Sequence, residues 1–269
     1  HEWIACVEAD ASLREPARLR ERLEVLDRLE LYGEGTDDPI MLARIDARRT
    51  ALEALNRALY ADMRQAIRAG RNAFAPWIDA LEPLPGGDGY DFRDDLVSGV
   101  LDLDEPGDAE PLPRDMVFYQ PTPARHVFDL IRRARLDAGD VVVDLGSGLG
   151  IVPMLIAIAS GARAIGIERQ APYVEASRRC AQRLEVRRSS FRCIDARDAD
   201  VASGTLFYLY TPFTGSVMRN VLDMLRCEAE RRPLRVATFG PCTSVVAGEA
   251  WLHGDAPVSA ERVALFRSR

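Results

Sequence analysis

One stretch, VVVDLGSGLG at residues 141–150, constrains the fold of this chain more than any other. Its three valines form an apolar run suited to a buried strand, and the Gly-rich turn leads into a second apolar segment with helical character. Gly146 and Gly148 let the backbone turn tightly and approach a ligand, while Gly150 lets the following helix pack near the strand. The motif therefore predicts a strand, turn and helix of an α/β domain with a ligand at the turn.

The segments after residue 121 alternate between strand and helix patterns, as a parallel α/β sheet requires. Thr122 can cap a first helix over 123–135. Strands are predicted at 141–144, 164–168, 190–194, 205–210 and 234–239, with helices at 149–160, 172–184 and 215–230. A last strand at 262–266 can pair with one near Trp251, and little room remains for a helix after the fifth strand. The predicted fold class is α/β, with a Rossmann-like, mainly parallel sheet.

The first 81 residues carry apolar side chains at helical spacing and predict a helical N-terminal subdomain. Asp37 or Asp38 can cap the long second helix, with Pro39 in its first turn. Helices are predicted at 14–31, 39–70 and 73–81.

Residues 82–114 differ in character from both neighbouring regions. Prolines and glycines punctuate them, and ten acidic residues between Glu82 and Glu110 are opposed only by Arg93. We therefore expect an acidic linker whose centre, 96–103, docks as a short strand or turn. The third predicted unit is the α/β domain at 115–269.

Asp144, two residues before the first glycine, favours one kind of ligand over another. The spacing is GxGxG, and Ile151 stands where a dinucleotide fingerprint would have its third glycine. A carboxylate at the strand end would repel a pyrophosphate and attract an ammonium group. S-adenosylmethionine carries such a cation and no phosphate, so the turn residues Gly146, Ser147, Gly148 and Gly150 are predicted to contact that cofactor rather than NAD.

Two further acidic residues follow the next two strands. Glu168 ends the second strand, where a carboxylate can accept hydrogen bonds from both ribose hydroxyls; the alternative is a solvated side chain. Asp195 follows the third strand and can accept from the adenine amino group, with Ala196 supplying a backbone contact. Capping of a helix is the alternative role for Asp195.

The motifs DLGSGLG, AIGIE, CIDA and LYTPF resemble those of class I S-adenosylmethionine-dependent methyltransferases over about residues 115–269. Within that class, FYQPTPARHVFDLI ahead of the first strand is similar to the non-SET lysine methyltransferases, both the histone-modifying group and the mitochondrial ATP-synthase c-subunit enzyme. This resemblance implies that Tyr119 and Thr122 lie near the methionine end of the cofactor. The local alternative is that Thr122 only caps a helix and Tyr119 only packs.

The segment after the fourth strand departs from the pattern of many amino-methylating enzymes, which carry Asn or Asp before Pro-Pro-aromatic. Here it reads Tyr210, Thr211, Pro212, Phe213. Backbone carbonyls, Tyr210 or Thr211 are the candidates to contact the acceptor in place of a side-chain amide. Methyl transfer from a sulfonium needs in-line alignment and a desolvated nucleophile, so we assign no dedicated acid or base.

Composition excludes several classes of function. A net charge of −7 disfavours nucleic acid as a partner. Five widely spaced cysteines without a CxxC pair argue against a disulfide framework and a zinc site, so no metal is predicted and a reducing cytoplasm is the expected compartment. The longest apolar stretch, 151–159, is too short to cross a bilayer. What precedes His1 is not given by the sequence.

Three hypotheses follow for the function. The first is methylation of a protein lysine, on the basis of the segment before the first strand and the acidic linker. The second is methylation of a small molecule, with the N-terminal helices as a lid over a closed pocket. The third is a non-catalytic protein that binds the cofactor. An open acidic groove favours the first, an enclosed apolar pocket the second, and helices that block access to the methyl group the third.

Overall fold

The computed structural model describes residues 2–80, 89–108, 111, 115–255 and 257–269. Its sheet has seven strands in the order β3-β2-β1-β4-β5-β7-β6. The first five are parallel, and β7 runs antiparallel to both β5 and β6. The strands are β1 Val141–Leu145, β2 Arg163–Glu168, β3 Ser189–Cys193, β4 Leu206–Tyr210, β5 Arg235–Phe239, β6 Leu252–Gly254 and β7 Ala264–Ser268. This confirms the predicted Rossmann-like, mainly parallel sheet, including the pairing of the last strand with one near Trp251.

Helices cover both faces of the sheet, and further helices form the N-terminal part of the chain. The helices are α1 Glu2–Ala9, α2 Leu19–Glu34, α3 Pro39–Arg68, α4 Ala75–Asp79, α5 Phe92–Leu101, α6 Ala124–Ala134, α7 Ile151–Ser160, α8 Ala171–Arg183, α9 Gly215–Ala229 and α10 Cys242–Ala247. Short 3₁₀ turns lie at Ala11–Arg14, Pro16–Arg18 and Ala196–Asp198. The helix α10 shows that the expectation of little room for a helix after the fifth strand was wrong.

Side chains alternate between the two faces of each strand, and each face has its own apolar core. Val142, Leu206 and Tyr208 belong to the core beneath α6, α7 and α8. Val143 and Phe207 belong to the core beneath α9 and α10. The order in which strands are added reverses between β1 and β4, because β2 and β3 lie on one side of β1 and β4 and β5 lie on the other. This reversal opens a crevice at the carboxyl ends of β1 and β4, where doubly wound sheets bind ligands.

The N-terminal helices share the first of these cores. Met63 and Ile67 of α3, Phe74 and Leu96 are buried in one cluster with Phe128 of α6. This continuous core crosses both predicted boundaries, at residues 81/82 and 114/115. The division of the chain into 1–81, 82–114 and 115–269 stays a prediction.

The long helix α3 begins as the sequence predicts. The Asp38 side chain accepts a hydrogen bond from the Ile40 N–H at 3.0 Å, with Pro39 in the first turn. On α2, the guanidinium of Arg22 is buried and donates to Asn56 of α3 and to the Leu13 carbonyl, which joins the two helices.

The expected short strand or turn at 96–103 is wrong, because the structure has helix α5 there. Asp91 accepts from the backbone of Arg93, and Asp94 accepts from the Asp91 N–H in return, which makes a capping box at its start. The helix buries Leu96, Val97, Val100 and Leu101, whose spacing of one, three and one has helical period. The surrounding prolines and glycines obscured this short pattern.

No helix in the described ranges combines the length and the apolar character needed to span a bilayer.

The shared core yields a test of the N-terminal helices. Phe74 is fully buried, with its ring centroid 5.7 Å from that of Phe128. We expect Phe74→Ala to lower the free energy of unfolding by about 3–5 kcal/mol, from lost burial and the cavity left behind. Urea denaturation followed through the tyrosines and tryptophans measures it. Phe118→Ala is the matched control, since Phe118 is 78% exposed and its loss should change stability by less than about 0.5 kcal/mol.

Candidate active site

A cavity of about 520 Å³ lies at the carboxyl ends of β1, β2 and β4. This is within the usual size of sites for small ligands and cofactors. Most of the residues predicted to bind cofactor or acceptor line it: Tyr119, Thr122, Asp144, Gly146, Ser147, Glu168, Ala196, Tyr210 and Thr211. Three predicted residues, Gly148, Gly150 and Asp195, are not part of the lining.

The Gly-rich turn brings other parts of the chain close to its backbone. Gly146 and Gly148 have φ of +95° and +50°, which favour glycine. A Cβ on Gly146 would overlap the Pro212 ring, and one on Gly148 would overlap the Tyr119 ring. The two glycines therefore allow Pro212 and Tyr119 to close over the turn.

The N–H groups of the turn are already engaged by the end of β2. Gly146 and Ser147 both donate to the carbonyl of Ile167, at 2.8 and 2.9 Å. Gly148 donates to Oε2 of Glu168 at 2.9 Å. The third residue of α7 is Pro153, which has no N–H. These residues do not form the cradle of N–H donors with which a phosphate site holds its anion.

Asp144 places a carboxyl group in this cavity under strong electrostatic constraint. The residue is 4% exposed and lies at the end of β1. Burial raises the pKa of Asp144 well above its usual range, and the neighbouring Glu168 raises it further. A cation bound beside Asp144 would offset both effects.

Glu168 joins the ends of β1 and β2 through its carboxylate. Oε1 accepts from the N–H groups of Arg169 and Gln170, both at 2.8 Å, while Oε2 accepts from Gly148. The side chain is thereby held at the edge of the cavity, and its oxygens retain further acceptor capacity.

An aromatic wall stands opposite the turn. The ring centroids of Tyr119 and Tyr173 are 5.5 Å apart, and the Leu149 backbone hydrogen-bonds to the Tyr119 hydroxyl. Burial raises the pKa of Tyr119 well above its usual range, so this hydroxyl stays protonated at neutral pH.

Thr122 does not cap α6, which corrects one of the two roles considered for it. Its hydroxyl and that of Tyr208 are hydrogen-bonded at 2.9 Å in a buried position. The cap is supplied instead by Asp94, whose Oδ1 accepts from the Ala124 N–H at 2.8 Å. Thr122 is thus fixed in the cavity wall by β4, while α5 holds the start of α6.

The turn after β4 is held in an unusual backbone conformation. Thr211 has φ of +39°, a value that is strained for a β-branched residue. Its hydroxyl donates to the Phe239 carbonyl at 3.3 Å and accepts from the Cys242 N–H at 3.0 Å. The Thr211 hydroxyl therefore positions the turn, and Tyr210 packs its ring 4.7 Å from that of Phe239.

The segment before α6 is tied across this turn. Met116 and Phe213 form an antiparallel bridge, and the Val117 N–H donates to the Pro212 carbonyl at 3.2 Å. This pairing carries Phe118 to the cavity, where it lines the wall with 78% of its surface exposed.

Asp195 makes the contacts of a capping residue. It accepts from the Arg197 N–H at 2.9 Å and pairs with the Arg197 guanidinium at 2.8 Å. Ala196, the first residue of the short 3₁₀ turn that Asp195 caps, lines the cavity. Contact of Asp195 with adenine stays a prediction.

Sequence reasoning missed several residues of the site, of which three carry polar groups near the turn and the aromatic wall. Tyr173 and Gln170 line the cavity from the start of α8, and Tyr208 lines it from the middle of β4. The signal for Tyr208 was its place in a strand otherwise rich in apolar residues, where a buried hydroxyl needs a partner.

No group of three or more His, Cys, Asp or Glu side chains placed to hold a metal ion occurs within the described ranges.

No protein-family model and no curated protein matches this chain. Among solved structures, an RNA methyltransferase from Salinibacter ruber in complex with S-adenosyl-L-homocysteine is 29% identical, over 55% of this chain and 92% of that one, with a TM-score of 0.45. A methyltransferase from Geobacter sulfurreducens is 18% identical, over 56% and 80%, with a TM-score of 0.42. A human methyltransferase 10 domain containing protein is 10% identical, over 65% and 92%, with a TM-score of 0.44.

The raised pKa of Asp144 means that its carboxylate form lowers the stability of the folded, ligand-free protein. Because the folded state favours the protonated form, the wild-type chain loses stability as pH rises from 3.8, the ordinary pKa, through the raised value. Asp144→Asn removes this loss, so we expect it to stabilise the ligand-free protein at pH 7 by on the order of 1 kcal/mol, and less at pH 4.

Urea denaturation at both pH values measures this effect. Asp129→Asn is the matched control, since Asp129 is also 4% exposed but pairs with Arg132 and Arg133. Its neutralisation should destabilise the protein at pH 7. Equal destabilisation by the two variants would show that the Asp144 carboxylate is not strained by burial.

Proposed function

We propose that this chain transfers a methyl group from S-adenosylmethionine to a small acceptor molecule. The observation that carries the proposal is the buried carboxyl of Asp144, in a cavity whose Gly-rich turn has its N–H groups engaged by β2. Such a site favours a cationic ligand and disfavours a pyrophosphate. S-adenosylmethionine presents an ammonium and a ribose, and it supplies an electrophilic methyl group when bound.

The cofactor roles proposed for the turn and its neighbours follow from this placement. Asp144 would compensate the ammonium, and Glu168, already held by three N–H groups, would accept from the ribose hydroxyls. Tyr119 and the Thr122–Tyr208 pair would close the other side of the cavity. Their main effect is to exclude water and fix the orientation of the reacting groups.

Catalysis in this proposal needs no acid or base from the chain. The Thr211 hydroxyl is occupied by Phe239 and Cys242, so its role is to hold the turn rather than to contact the acceptor. The backbone of the Tyr210–Phe213 turn and the aromatic wall would align the nucleophile with the methyl group.

The lining of the cavity favours a small molecule over a protein lysine. Asp144 and Glu168 are the acidic residues that line it within the described ranges, and both have proposed cofactor roles. The acidic linker does not gather charge there: Asp91 pairs with Arg93, Asp94 caps α6, and Asp104 pairs with Arg179. The described part of the linker therefore gives no electrostatic reason to expect a lysine acceptor.

The N-terminal helices do not serve as the lid of the small-molecule hypothesis. Within the described ranges, the lining begins at Pro111, and no residue of 2–80 contributes to it. The same placement removes the argument for a non-catalytic protein, since these helices do not block the site.

Calorimetric titration with S-adenosylhomocysteine tests the cofactor. We expect binding to the wild-type chain and a loss of about 1–3 kcal/mol of binding free energy for Asp144→Asn and Glu168→Ala, through loss of charge-assisted hydrogen bonds. Asp104→Asn is the control, because this carboxylate lies on the surface against Arg179 and Arg183. Binding of NADH without binding of S-adenosylhomocysteine would refute the proposal.

Methyl-labelled S-adenosylmethionine incubated with a host lysate tests the acceptor. We expect the label in the small-molecule fraction. Label that stays with macromolecules and is released by protease would restore the lysine hypothesis, and release by ribonuclease would indicate an RNA acceptor.

A further inference from the structure

A second cavity, of about 380 Å³, lies beside the first between α9 and α10. Thr211, Phe213 and Pro241 line both cavities. The turn after β4 and Pro241 therefore form a wall that the two cavities share.

The walls of this second cavity, which we call the groove, are mainly apolar and belong to a packed core. Phe213, Met218, Leu222 and Cys242 are all buried in the core beneath α9 and α10. Val245, on the next turn of α10, is 50% exposed at the edge. The residues that line this second cavity are therefore mainly apolar, and Val245 is the exposed one among these five.

The charged residue of the groove is already neutralised. Arg219 pairs with Glu249 at 2.6 Å and with Asp223 at 3.1 Å. Its guanidinium is thus committed to two carboxylates, and an anionic group on a ligand would have to compete with them. The groove favours a neutral hydrocarbon surface rather than a charged one.

We propose that this groove binds an apolar arm of the methyl acceptor, an alkyl, acyl or prenyl chain, while the nucleophile at the end of that arm enters the first cavity. The inference rests on the proposed function and adds the substrate class. The wall that the two cavities share at Thr211, Phe213 and Pro241 favours the acceptor as occupant, because the cofactor is assigned to the first cavity and the acceptor has to lie beside it.

Straight-chain primary alcohols of four to eight carbons are suitable probes, since they are neutral and present only a chain. Their affinity is measured by calorimetry with the protein saturated in S-adenosylhomocysteine. We expect affinity to rise about fourfold per methylene, as for transfer of a buried CH₂ out of water. S-adenosylhomocysteine is titrated separately on each variant.

Val245→Trp should fill the groove, and Val245→Glu should place a charge at its edge. We expect each variant to bind octanol at least tenfold more weakly than the wild-type chain and to bind S-adenosylhomocysteine with unchanged affinity. Val258→Trp is the matched control, since Val258 is 41% exposed and does not line either cavity. It should behave as wild type. The two Val245 variants differ in size and charge, so a folding defect in one of them leaves the other to test the groove.

The outcomes separate the two proposals. Binding of S-adenosylhomocysteine with alcohol affinities independent of chain length, or equal for the Val245 and Val258 variants, overturns the groove and leaves the methyltransferase. Failure of the wild-type chain to bind S-adenosylhomocysteine overturns the proposed function, and with it the role of the groove as an acceptor subsite.

Discussion

The site depends on one electrostatic constraint, a carboxyl group buried at the end of β1 beside a turn that has no N–H groups to spare. Asp144 is kept out of water by the fold and faces a second carboxylate, Glu168. Glu168 in turn takes the Gly148 N–H, and the Ile167 carbonyl takes those of Gly146 and Ser147. An anion at this turn would lie beside two carboxyl groups and find the N–H groups of Gly146, Ser147 and Gly148 engaged, whereas a cation gains from both carboxylates. The chemistry of the cavity is therefore set by the way β2 binds the first turn.

The N-terminal helices serve this site from a distance. Asn72, just beyond α3, donates to the Ala159 carbonyl, and Arg68 of α3 donates to the Arg183 carbonyl. Both contacts are at the last residues of α7 and α8, at the edge of the sheet opposite the cavity. The helices share the core beneath α6, and α5 contacts the start of α6 through Asp94. They stabilise the layer that carries Tyr119 and Thr122, and they leave the cavity open to an acceptor.

The parts of this architecture that local chemistry determines were predictable. Asp37 or Asp38 ahead of Pro39 predicted the start of α3, and the valines before Gly146 predicted β1, because caps and periodicity act between neighbouring residues. Contacts between distant segments of the chain were not predictable from local sequence. The Thr122 hydroxyl had two possible partners, a helix N–H next to it or Tyr208, and only the packing of β4 decides between them. The cap it might have supplied comes from Asp94, whose own helix was hidden among prolines and glycines. That Asp144, Glu168 and the turn lie together could be predicted from spacing, because they lie at the ends of adjacent parallel strands, whose carboxyl ends meet at one edge.

The turn after β4, Tyr210–Phe213, follows the fourth strand as the Asn/Asp-Pro-Pro-aromatic segment of many amino-methylating enzymes does, but it carries neither Asn nor Asp. A left-handed threonine costs on the order of 1–3 kcal/mol and persists only where its surroundings hold it. Here the Cys242 N–H and the Phe239 carbonyl both bond to the Thr211 hydroxyl, so the start of α10 stabilises the strained conformation. That conformation presses Pro212 against Gly146 and sets Phe213 between the two cavities. This turn has no side-chain amide and its threonine hydroxyl is in use, so in the proposed reaction the residues around the turn would supply the contacts to the acceptor. The groove beside the turn is lined mainly by apolar residues, so the proposal assigns recognition of the acceptor to its hydrocarbon part rather than to its nucleophile.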